Sequence, residues 1–131
     1  MKNNNEEHSR YMAIVLLCCT AMLPLIGNAY DSAEAMAAIL LELNHFPTAA
    51  HKETLSSIEG SEASAAQKQL AQIISRIAHK PSDADKALLQ ALLDSDAGTA
   101  EKVIAKAVLN MNHKPQADDL QALRGLLPAS D

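Results

Sequence analysis

The chain has no Trp, one Phe and two Tyr among its 131 residues. Aromatic side chains bury more area each than any others, so a core here must be assembled from Leu, Ile, Val, Met and Ala. Glycine is scarce as well, at four residues, which disfavours the frequent tight turns of a sandwich or barrel. The cysteines number two, Cys18 and Cys19, and both fall in the N-terminal leader delimited below. The remainder therefore has neither a disulfide nor a thiolate ligand. Basic residues are outnumbered, 11 Lys and Arg against 16 Asp and Glu, for a formal charge of −5. That charge excludes the basic field on which sequence-independent binding to nucleic acid or an anionic membrane depends. No serine-nucleophile elbow, glycine-rich phosphate loop or His-Glu-x-x-His pattern occurs, so the expectation is a protein that is not an enzyme and holds no cofactor.

Residues 1–29 have the grammar of a secretory signal peptide: Lys2 and Arg10 in a polar start, an apolar run from Met12 to Ile26, and a small-residue end at Gly27-Asn28-Ala29. The apolar run is shorter than the roughly 20 residues that a spanning helix needs, and Pro24 interrupts it. The expectation is cleavage after Ala29 and export to the periplasm or the medium, with no stable membrane insertion afterwards. Glu6 and Glu7 offset the positive start, and a leader retained as an anchor is the alternative.

Residues 30–131 are read as one all-α domain. Written in rows of 34, the sequence aligns segments that begin at Ala35, Gln69 and Val103. Each row contains a His-x-Pro tripeptide: His45-Phe46-Pro47, His79-Lys80-Pro81 and His113-Lys114-Pro115. Ahead of each runs an apolar stripe at i, i+3, i+4 and i+7: Met36, Ile39, Leu40 and Leu43; Leu70, Ile73, Ile74 and Ile77; Ile104, Ala107, Val108 and Met111. This spacing lays four side chains on one helix face. Behind each proline a second stripe follows, with Leu55 and Ile58, Leu89 and Leu92, Leu123 and Leu126 in matching columns, and Leu88, Leu93, Leu120 and Leu127 widening it. The periodicity predicts helices over 32–45, 48–59, 62–78, 82–93, 97–112 and 116–127. They pair as three tandem hairpins, arranged as a short solenoid or closed into a compact bundle. The period is that of tetratricopeptide repeats, but the residue pattern of those repeats is missing and no kinship is inferred.

Proline stops each first helix, because it cannot continue the helix and pushes its predecessor out of the α region. Thr48 and Ser82 are placed to cap the second helices, Ser82 with Asp85 at the fourth position, while Gln116 is a poorer cap. The acidic pairs Asp83/Asp85 and Asp118/Asp119 then stabilise helix starts.

The histidines invite a metal reading, since imidazole is a common ligand. At the last turn of a helix a histidine can instead serve the free carbonyls and the helix dipole. In an open stack, neighbouring helix pairs stand about 8–10 Å apart, too far for one ion with ligands at about 2 Å; a closed bundle relaxes that objection. The sequence reading therefore assigns no metal ligand, with His45, His51, His79 and His113 as the candidates if a metal is held, and Met36 or Met111 beside them. It favours a non-enzymatic exported module that holds a protein or peptide on stacked hairpins, with a periplasmic metal-handling protein as the alternative.

Overall fold

The computed structural model describes residues 29–129. The leader, except for Ala29, lies outside them. The described residues form six helices and no sheet: α1 (Ala29–Glu42), α2 (Ala49–Glu59), α3 (Ala65–Arg76), α4 (Asp83–Asp94), α5 (Thr99–Leu109) and α6 (Ala117–Arg124). No helix among the described residues is long and apolar enough to cross a membrane.

The odd-numbered helices lie inside. Each of α1, α3 and α5 packs against the other two, and the apolar stripes explain why. All twelve of the stripe residues from Met36 to Met111 are buried, at most 5% exposed. The even-numbered helices wrap this core and contribute Leu55, Ile58, Leu89, Leu92 and Leu123 to it. One expected core residue is corrected: Leu88 is 40% exposed, so α4 buries a narrower face than four adjacent leucines suggested.

The packing closes on itself. Helix α2 lies most extensively on α3 and α4 on α5, while α6, the last helix, packs on α1, the first. The bundle is therefore compact, and of the two expected architectures the open stack is not adopted. The closest helix pairs also straddle the serine-containing links instead of the His-x-Pro corners. In the links Ser61 and Ser95 do the same work: each hydroxyl donates to a carbonyl three residues back (Ile58 and Leu92, both 2.7 Å) and accepts the N–H two residues on (Ala63 and Ala97, both 3.1 Å). Such local bonds satisfy the helix-end carbonyl and set the turn.

The helix starts behave as composition suggests. Thr48 accepts the His51 N–H (3.2 Å) and Ser82 the Asp85 N–H (3.1 Å), whereas Gln116 makes no side-chain cap. Ser64 and Gln67 form a further reciprocal capping box at α3, a Ser-x-x-Gln signature that sequence reading passed over.

Candidate metal centre

The inner helices end earlier than their periodicity implied, at Glu42, Arg76 and Leu109. Each histidine sits beyond the helix in a short exposed turn anchored on both sides. Leu43, Ile77 and Met111 hold one end in the core, and buried Pro47, Pro81 and Pro115 hold the other. Between the anchors, His45, His79 and His113 adopt φ of 75°, 70° and 67°. They are the described non-glycine residues with positive φ, a region that β-carbons disfavour by about 1–2 kcal/mol and that His tolerates better than most. The neighbours on either side close tight turns: Phe46 N–H donates to Asn44 O (3.0 Å), Lys80 N–H to Ala78 O (2.8 Å), and Asn112 N–H to Lys114 O (3.3 Å). The first two are three-residue turns of the rare kind with a positive central φ.

The three turns meet. His45 N–H donates to His113 O (3.0 Å), His79 N–H to His45 O (2.7 Å) and His113 N–H to His79 O (2.5 Å). Each histidine thus gives one backbone bond and accepts one, in a closed ring that joins the corners of all three helix pairs. The inverted φ directs these groups across the centre of the bundle end.

The ring of main chain gathers the side chains too. Imidazole centroids stand 5.1, 5.1 and 4.8 Å apart, inclined at 66° to 77°. Nitrogens from all three lie within 4.8 Å of one another, and all three residues are exposed. His79 Nδ1 and His113 Nδ1 are 3.0 Å apart, a hydrogen-bonding distance at which one nitrogen donates and the other accepts. His45 Nδ1 lies 2.6 Å from Asn44 Oδ1; an amide oxygen only accepts, so this ring donates through Nδ1 and keeps its lone pair on Nε2.

These rings do not serve the free carbonyls of their own helices, contrary to the helix-end duty that sequence reading favoured. Their geometry suits a transition metal instead. Ligands about 2.0–2.1 Å from a tetrahedral ion are separated by about 3.3 Å, close to the His79–His113 spacing. His45 brings a third nitrogen within 4.8 Å of the other two, and Asn44, 2.6 Å from its Nδ1, stands where the outer partner that orients a ligating ring is found. Three imidazoles without carboxylate or thiolate suit zinc, copper or nickel over magnesium or calcium. Among the described residues no other three His, Cys, Asp or Glu side chains come this close.

No protein-family model matches the chain, and neither a curated protein nor a solved structure does.

His51, the fourth candidate, stands apart from this cluster. It is the third residue of α2, where its Nδ1 accepts the Thr48 N–H (3.4 Å) and its Nε2 lies 3.4 Å from Glu42 Oε2. The same relation, nine residues apart across a corner, recurs as Arg76–Asp85 and Asn110–Asp119 (3.1 Å). Arg76 contacts Asp85 Oδ1 through both Nε (3.1 Å) and Nη2. The guanidinium bond holds the Asp85 carboxyl below the usual carboxylate range against the opposing effect of burial, with help from the Ser82 hydroxyl. These clamps brace the turns that present the histidines. Met36 and Met111 are core residues, at 0% and 3% exposure. A cavity of about 450 Å³ is lined by Ala33, Gln67, Glu101 and Leu127 among others. It opens near the starts of the inner helices, about 15 Å along them from the histidines at 1.5 Å per residue.

Proposed function

We propose that the protein is a small exported metal-handling protein that binds one divalent transition-metal ion through His45, His79 and His113. The observation that carries this reading is the convergence of three exposed imidazoles, nitrogens within 4.8 Å, on three turns held at positive φ. Glycine would adopt that conformation without cost. Backbone strain retained three times by a side chain that the fold could replace is the pattern of a functional site. Export rests on the leader, residues 1–29, and the 34-residue repeat supplies the reason why like residues meet: a closed array of three equivalent units brings equivalent positions to one axis. The other reading, a module that holds a peptide on stacked hairpins, drew its support from the extended surface of an open array, and a closed bundle offers less of one.

Calorimetric titration of the chain with zinc, copper(II) and nickel tests the proposal. One ion per chain and a raised melting temperature are expected, since a ligand that binds only the folded state stabilises it. An H79G/H113G variant that folds and still binds one ion with unchanged affinity would refute it, as would an absence of binding heat and thermal shift with all three metals.

A further inference from the structure

The charge around the triad is the reverse of the charge on the chain as a whole. The chain carries a formal −5, yet the residues flanking the histidines are Asn44, Phe46, Ala78, Lys80, Asn112 and Lys114, with no acid among them. Lys80 and Lys114 are exposed and join no ion pair among the described residues. The nearest carboxylates along the chain are engaged elsewhere: Glu42 lies 3.4 Å from His51 Nε2, and Asp83, which also feels the charge of Lys80, is bonded to Lys86 (3.0 Å). Three imidazoles are neutral ligands, so a divalent ion held by them keeps its full charge, and the residue after two of the three histidines adds an ammonium group. Three protein ligands also leave one tetrahedral position open, and exposure of all three rings places it towards solvent.

Resting on the metal reading above, we propose that the bound ion completes its coordination with a small oxyanion, a carboxylate or phosphate, which Lys80 and Lys114 attract and hold. The oxygen displaces water from the fourth position, and the anion's charge offsets that of the ion and the two ammonium groups. Acidic side chains are absent from the turns because the compensating charge comes from the ligand. Phe46, exposed, holds the sequence position after His45 that Lys80 and Lys114 hold after His79 and His113, and it is an apolar side chain available to the body of an organic acid.

Cobalt(II) in place of the native ion gives a visible spectrum that reports its coordination. The cobalt-loaded full chain is titrated with acetate and with inorganic phosphate at constant low ionic strength, alongside chloride as a control. A saturable spectral change with at least one oxyanion, at concentrations where chloride has no effect, is expected. The K80A/K114A variant still takes up one cobalt, and its apparent oxyanion affinity is expected to fall about five- to tenfold, as two charges about 6–8 Å from the anion across water imply. Response to acetate alone identifies a carboxylate ligand, and response to phosphate alone a phosphate. A cobalt spectrum that neither oxyanion moves overturns this inference and leaves the metal reading standing, as does an affinity that K80A/K114A does not change. Failure to take up cobalt overturns the metal reading, and this inference with it.

Discussion

The Nδ1 atoms of His79 and His113 lie 3.0 Å apart, 34 residues from each other in sequence. A contact of that length pairs one donor with one acceptor, and it brings together two nitrogens that can each offer a lone pair to a metal ion. His45 completes the group from the third turn. The arrangement needs a fold whose last helix returns to its first, because only closure brings the three corners to one point.

Replacing His79 by glycine separates the fold from the site. Glycine relieves about 1–2 kcal/mol of left-handed strain and loosens the unfolded chain by about 0.4–1 kcal/mol. The H79G variant is therefore expected within about 1 kcal/mol of the parent in urea unfolding, with metal affinity greatly reduced. H79A keeps the strain and is expected to be the less stable of the two. An H79G protein that unfolds well before H79A would show that the imidazole itself holds the turn.

Asp85 gives a pH dependence of known sign. Its carboxyl is held low by the Arg76 hydrogen bonds, so its contribution to stability is complete above the ordinary aspartate range, near 3.9. That contribution fades as pH falls through the lower, folded-state value. Arg76 is half exposed, at 51%, which weakens the ionic part; what remains is chiefly the bonding of a buried carboxylate. R76A is expected to cost about 1–2 kcal/mol near neutrality. The loss should shrink as Asp85 becomes protonated, measured by urea midpoints from pH 7 to pH 2.

Two adjacent leucines in α4 test the narrowed buried face. Leu89 is fully buried and Leu88 is 40% exposed. Leu89→Ala is expected to destabilise by about 2–4 kcal/mol, with a cavity left in the core, and Leu88→Ala by less than about 1 kcal/mol. Equal losses would mean that α4 buries both.

What could be read from the sequence and what could not divide along physical lines. Ile73, Ile74 and Val108 announce their burial because helical periodicity is a local property, visible within one turn of chain. Thr48 and Ser82 announce their caps for the same reason. The end of each inner helix was misplaced by about a turn: apolar spacing continues through Leu43, Ile77 and Met111, which stay buried as anchors after the helix has stopped. Positive φ at His45 was invisible because glycine, the usual marker, is absent there. The meeting of His45, His79 and His113 depends on α6 packing against α1, a contact between the ends of the domain that no local pattern encodes. Once closure is known, repetition of the corner makes their convergence follow.

The backbone ring offers a test of closure that needs no substitution. The amides of His45, His79 and His113 belong to exposed residues in short turns, where exchange with solvent is ordinarily fast. Here each amide donates to another corner, at 3.0, 2.7 and 2.5 Å. Opening any one of these bonds parts two turns that are anchored in the core through Leu43, Ile77, Met111 and the three prolines. The three amides should therefore exchange slowly and with similar protection, while that of exposed Glu53, within the first turn and a half of α2, exchanges faster. Hydrogen exchange followed by NMR distinguishes the cases residue by residue. Fast exchange at all three histidines would mean that the corners do not meet in solution, and the metal site would lose its geometric basis. Slow exchange that slows further on adding zinc would tie closure and metal binding together, since an ion across the rings holds the same three turns that the backbone bonds join.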